Sequence, residues 1–274
     1  MRGKDFMFNN FWGGEGEIGE KVLSLHVETQ SNTVIAMNYA IIAAGEGSRL
    51  QQEGVPTPKP LVCLNGTPMI RRLIDIFLDC DADTISVIVN EQMTEVADYL
   101  RNLQAELPEG KLKIVVKSTP SSMHSFYEVS HILPPGKFIL TTVDTIFRPE
   151  DFREYSKAYA QAENADGYMA VTSFIDDEKP LYIDVDEKMH ITAFRDVPFP
   201  GVKYISGGIY GLNEKALTVL KECMDKGISR MRNFQRALVE AGLDLRAWPF
   251  PKIVDVDHQA DIATAETFLK SRGA

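Results

Sequence analysis

The chain has 274 residues, 44% of them hydrophobic and 25% charged, which is ample for a large buried core and excludes global disorder. With 29 Lys+Arg against 39 Asp+Glu the net charge is -10, so a broad footprint for nucleic acid or an anionic membrane is excluded and any phosphate site must be a local cluster of cations. No apolar run approaches the ~20 residues that span a bilayer, and Cys63, Cys80 and Cys223, odd in number and without a C-x-x-C pair, argue against a disulfide framework or structural zinc and for a reducing cytoplasm.

Residues 1–36 join a glycine-rich stretch (Gly13 to Glu20) to a polar segment and read as an N-terminal extension ahead of a domain that starts at Met37. Gly14, Gly16 and Gly19 spell G-x-G-x-x-G, but no apolar strand precedes them, so the dinucleotide-binding context is missing. From Tyr39 the text alternates short apolar runs with helical periodicity: strand 39–43, helix 69–78, strand 84–89, helix 96–107, strand 113–116, helix 121–133 and strand 138–142. This order predicts an α/β fold of three layers, a mostly parallel central sheet with helices on both faces. After Pro149 and a helix through Tyr155 and Tyr159, strand-like pieces at 168–174, 182–185, 191–194 and 205–212 read as hairpins decorating a sheet edge. Helices at 216–224 and 232–241, a strand at 253–256 and a helix from Asp261 complete a domain expected to divide into 37–148 and 149–274.

The most informative stretch is AAGEGSRL (Ala43 to Leu50), with TPKPL close behind at Thr57 to Leu61. A strand ends there in a loop whose Gly45 and Gly47 let the backbone turn and aim N–H groups at phosphate oxygens, and Arg49 and Lys59 supply the charge. Leu50 occupies the third-glycine place of the dinucleotide fingerprint and no G-K-S/T follows, so neither standard phosphate motif fits. These residues resemble the sugar-phosphate nucleotidyltransferase family over most of Met37 to Leu269. The resemblance implies a Rossmann-like nucleotidyltransferase fold with a small β-rich acceptor-binding insertion. It further implies a nucleoside triphosphate and a sugar 1-phosphate as small-molecule partners, pyrophosphate as product and Mg²⁺ as cofactor. Ala43, Ala44, Gly45 and Gly47 match the family's triphosphate loop, and Arg49 and Lys59 its catalytic cations.

Three further blocks carry the resemblance. STPSSMHSFYEV (Ser118 to Val129) is similar to the family's base-side segment, with Ser121 and Ser122 at the Gly and Thr positions; Ser121 also suits a helix cap. FILTTVDTIF delivers Asp144 at the carboxyl end of a strand, where open α/β sheets bind ligands, and the family's magnesium aspartate stands there. KIVDVDHQADIATAE offers Asp257 or Asp255 as the second metal ligand, with Asp257 favoured by register, and their two-residue spacing places both on one side of a strand. On the acceptor side, Asp196 stands for the acid of the family's hairpin, and Gly207 and Gly208 for its close approach to the sugar, although paired glycines equally suit a bulge or tight packing. Two alternatives share the phosphate motifs: a cytidylyltransferase acting on a non-sugar phosphate such as phosphocholine, and a catalytically silent nucleotide-sensing protein on the same fold. The sequence fixes no oligomeric state.

Overall fold

The computed structural model describes residues 37–174 and 179–271; the readings made on residues 1–36 lie outside them. In chain order the elements are β1 (Met37–Ala43), α1 (Ser48–Gln52), β2 (Cys63–Leu64), β3 (Thr67–Pro68), α2 (Met69–Asp79), β4 (Ala82–Val89), α3 (Thr94–Glu106), β5 (Leu112–Val116), α4 (Ser122–Ser130), β6 (Phe138–Thr142), β7 (Thr145–Ile146) and α5 (Pro149–Gln161). There follow β8 (Gly167–Thr172), β9 (Tyr182–Val185), β10 (Ile191–Arg195), β11 (Tyr204–Leu212), α6 (Glu214–Asp225), α7 (Met231–Glu240), β12 (Leu245–Phe250), β13 (Val254–Asp255) and α8 (Gln259–Lys270).

β1 is buried along its whole length because both faces of the sheet are covered. Strand alternation sends Tyr39, Ile41 and Ala43 into one apolar cluster, with α2, α3, α5 and α8, and Ala40 and Ile42 into a second, with α4, α6 and α7. On the first face the Tyr39 ring stacks on Phe77 at 4.4 Å and its hydroxyl meets Ser156 Oγ at 2.8 Å, so burial drives the phenol pKa far up and the group stays neutral. This is the three-layer α/β architecture expected from the alternation of strands and helices.

The main sheet runs β10-β9-β11-β6-β1-β4-β5, with β8 paired to β11 and β12 paired to β8. β5, β4, β1 and β6 are mutually parallel, and β11 pairs antiparallel to β6, so one sheet includes strands from both sides of residue 149. The edge-decoration reading of the later strands holds only for the β9–β10 hairpin; β8 and β11 are interior strands of the main sheet. β12 escapes a reading by pattern because Pro249 interrupts it. The strand's ladder partner is β8, its other side meets an isolated bridge from His190 to Arg246 ahead of Pro249, and an edge is where a missing N–H is tolerated.

Two short pieces position the site. β7 and β13 form a separate antiparallel pair in which Asp255 lies opposite Thr145 and the Val256 N–H donates to the Asp144 carbonyl at 3.1 Å. The strand stops at Asp255, so strand alternation does not govern Asp257, which belongs to the turn entering α8.

Candidate active site

At the carboxyl end of β1 the chain turns through Gly45 and Gly47 into α1. Gly47 has φ +63°, and a Cβ there would lie 2.8 Å from Lys59 Cβ, so the glycine is needed both for the turn and for the lysine stem to lie against the loop. Gly45 differs: its φ is ordinary and a Cβ would meet nothing within 4 Å. Ala43, Ala44, Gly45, Gly47, Arg49, Lys59, Ser121, Ser122, Asp144 and Asp257, drawn from four separate stretches of sequence, line one cavity of ≈ 490 Å³.

At its floor the Lys59 ammonium is held between two carboxylates, 2.5 Å from Asp144 Oδ2 and 2.6 Å from Asp257 Oδ1, and Arg49 Nη1 donates to the other Asp257 oxygen at 2.9 Å. The Lys59 side chain is only 10% exposed. Burial alone would push its pKa down, but the charges of Asp144 and Asp257 prevail and hold it above the ordinary lysine value. Burial likewise opposes ionisation of Asp144, yet Lys59 and the Thr142 hydroxyl hold its carboxyl below the usual range. The result is a fixed charge cluster at the ends of β1 and β6, where parallel strands present their carboxyl termini.

The stretch from Thr119 to Ser125 supplies hydroxyls. Ser121 occupies the cap position of α4 but makes no capping hydrogen bond; its Oγ meets His124 Nδ1 at 2.8 Å and accepts the Arg230 N–H at 3.4 Å. Thr119 and Ser125, paired at 2.5 Å between their hydroxyl oxygens, also line the cavity, two residues that lie in the STPSSMHS block without having been singled out there.

A second cavity of ≈ 360 Å³ adjoins the first, sharing Ser122, Thr142 and Asp144. Asp255 and Gly208 line it. Gly208 has φ +73° at a register shift of β11, and a Cβ there would lie 2.6 Å from Thr145 Oγ1, so glycine lets β11 crowd the turn that bears Asp144. Gly207 points elsewhere: its Cβ would lie 2.4 Å from Ile253 Cδ1, which makes it a packing glycine rather than a wall of this cavity. Asp196 is not among the lining residues either. Its carboxylate binds Arg232 and Arg236, each at 2.6 Å, and Arg232 in turn lines the cavity beside Arg230. Arg230 sits at φ +71°, a conformation uncommon outside glycine, just before α7. In the sequence both arginines are marked only by a cationic SRMR at a helix start in an acidic chain.

A glycine-rich loop at the end of a parallel strand and a buried lysine between two aspartates thus adjoin a cavity that Arg230 and Arg232 line. The chain belongs to the MobA-like NTP transferase domain family, whose model matches residues 39–199. It is 24% identical over 190 residues to the bifunctional protein GlmU of Methanocaldococcus jannaschii, covering 68% of this chain and 42% of that one. It is 30% identical over 118 residues to a 2-aminoethylphosphonate cytidylyltransferase of Lancefieldella rimae, covering 41% of this chain and 45% of that one. The matches to these two relatives therefore span less than half of their length. Among solved structures, the inositol-1-phosphate CTP transferase of T. maritima superimposes with a TM-score of 0.70 at 18% identity, covering 87% of this chain and 98% of that one. A Bacillus anthracis protein provisionally described as a glucose-1-phosphate thymidylyltransferase does so with a TM-score of 0.74 at 20% identity, covering 87% and 97%. These likenesses establish the shared fold.

Proposed function

We propose that the chain joins a nucleoside triphosphate to a sugar 1-phosphate, releasing pyrophosphate and forming a nucleotide sugar. The observation that carries this reading is Lys59 fixed between Asp144 and Asp257 beneath the Gly45–Gly47 loop. The loop and Arg49 receive the triphosphate. Gly45, which neither conformation nor packing requires to be glycine, leaves room for a phosphate against the backbone. Ser121 and Ser122 lie toward the base. The acceptor takes the adjoining cavity, its anionic end met by Arg230 and by Arg232, which Asp196 holds in place.

A phosphate monoester has its second pKa near ~6, so the attacking oxygen is already ionised at neutral pH and the chain needs no general base. Its residues align the two cavities' occupants for in-line attack and place Lys59 and Arg49 against the charge that passes to pyrophosphate. The donor set suits a divalent cation. Two carboxylate oxygens that touch one ammonium lie within about 5 Å, close to the ~4 Å spanned by two Mg²⁺–oxygen bonds of about 2.1 Å. Asp144 and Asp257 would hold Mg²⁺, with Asp255 as the neighbouring alternative, and the chemistry supplied there would be charge neutralisation at the phosphates. Three free cysteines and no described helix long and apolar enough to cross a membrane suit a cytoplasmic enzyme.

A second reading, cytidylyl transfer to a non-sugar phosphate or phosphonate, draws support from the Lancefieldella relative and from the T. maritima fold. Pyrophosphate release measured for each common NTP against sugar 1-phosphates, inositol 1-phosphate, 2-aminoethylphosphonate and phosphocholine separates them. Release with CTP and a non-sugar acceptor alone would replace the first reading by the second. Nucleotide binding without release from any pair would leave a sensing protein.

A further inference from the structure

Asp257 is held in two ways. Its carboxylate meets Arg49 and Lys59, the cations that the transfer reading assigns to the triphosphate. Its backbone belongs to the turn into α8, where Asp261 Oδ2 accepts the N–H of Asp257 at 3.0 Å and of His258 at 2.7 Å. A bound triphosphate competes for the side-chain partners. Whatever keeps Asp257 in place during turnover must therefore act through the turn.

One side chain from the other wall of the site does so. Glu53 is the first residue past α1, and its own N–H donates to the Arg49 carbonyl at 3.0 Å. Its Oε1 lies 2.6 Å from His258 Nδ1 and its Oε2 accepts the Gln259 N–H at 2.7 Å, from 205 and 206 residues away in sequence. The His258 side chain also accepts the Asp261 N–H at the start of α8, so the ring that meets Glu53 is itself part of the helix cap. Both oxygens are committed to the turn, one through a side chain and one through the first N–H of the 12-residue α8, where negative charge is favoured. The Glu53 side chain is 38% exposed and His258 32%, so the pair adds little to global stability. What it fixes is geometry, because the helix that carries Arg49 and the turn that carries Asp257 are tied at one carboxylate.

We infer that Glu53 is a positioning residue that locks Asp257 against Arg49 and Lys59, so that the aspartate keeps its place when nucleotide engages the two cations. This rests on the transfer reading above. It assigns Glu53 no contact with substrate.

The test compares Glu53→Ala and Glu53→Gln with the wild type. Partners that orient a metal-binding carboxylate are worth about 10- to 100-fold in metal affinity or activity, and Glu53→Ala should lower kcat by that much with the KM for NTP within a few-fold. Binding of Mn²⁺ in the presence of NTP and without acceptor, read by electron paramagnetic resonance, should weaken in parallel, while thermal stability stays close to wild type. Glu53→Gln, which keeps one acceptor oxygen, should recover part of both losses, and it decides the matter if the alanine variant does not fold. Unchanged kcat and Mn²⁺ affinity would overturn the inference, as would a rise in KM alone, which marks direct nucleotide contact. If the wild type releases no pyrophosphate from any pair, the transfer reading fails on its own. Amide exchange across 256–259 in the free protein then judges the clamp: protection lost in Glu53→Ala supports it, and unchanged protection overturns it.

Discussion

Replacing Lys59 by methionine keeps the length of the stem and removes the charge between Asp144 and Asp257. The lost attraction is offset in part by the lost cost of burying an ammonium. What stays behind is repulsion between two carboxylates. Their oxygens lie 2.5 and 2.6 Å from one nitrogen, hence within about 5 Å of each other, and at an effective dielectric near 20 they repel by about 3 kcal/mol. Asp257 is 42% exposed, and screening reduces this to about 2 kcal/mol. For a domain of this size that lowers Tm by roughly 4–8 °C. The raised pKa of Lys59 means that its contribution is complete below the ordinary lysine range and is lost only as pH rises through the higher folded value, so a comparison at neutral pH captures all of it. Thermal unfolding followed by circular dichroism should show the loss, and millimolar Mg²⁺ should raise Tm more in Lys59→Met than in wild type, because a cation can then enter between the acids. A variant as stable as wild type and indifferent to Mg²⁺ would refute the view that these carboxylates need a cation between them.

Gly45→Ala should leave Tm unchanged and raise the KM for NTP by about tenfold, a loss of roughly 1.4 kcal/mol in binding, whereas Gly207→Ala, whose methyl meets Ile253 and the Ala170 carbonyl, should cost about 1–3 kcal/mol in denaturant unfolding. Asp257→Asn should abolish Mg²⁺-dependent pyrophosphate release and Asp255→Asn should not; the opposite ranking would transfer the role to Asp255. Asp166 accepts hydrogen bonds from Lys215 at 2.8 Å and from Asn213 and the Asp244 N–H at 3.1 Å, and these hold its pKa down against the opposing effect of burial. Its contribution is present above the unfolded carboxyl value of ~4 and is lost as pH falls through the lower folded value, so the stability gap between wild type and Asp166→Asn should close on acidification.

What could be read from the sequence is local. Strand, glycine loop, Arg49 and Lys59 fall within a short stretch, and Asp144 directly follows an apolar run, so each announces its place at a strand end. The rest depends on contacts between distant segments. Asp196 looks like a free acid after its hairpin, because both arginines it binds stand on α7. Arg230 gains its position from a left-handed backbone angle that no sequence pattern encodes. Glu53 reads as an ordinary surface acid after a short helix until α8 is folded against it. Pro249 conceals β12 because a proline in a strand is legible only once the strand is known to be an edge.

The β7–β13 pair also sets a time. Every strand of the main sheet has been translated by Phe250, before β13 and the aspartate that faces Lys59 from 198 residues downstream. In the order of synthesis Lys59 and Asp144 are both made well before the second acid. The last short stretch, zipping Val254 and Asp255 onto Ile146 and Thr145, supplies the second acid. The second acid of the charge cluster is thus translated after the whole main sheet, in the same stretch as Ala265 and Phe268, which complete the first apolar cluster.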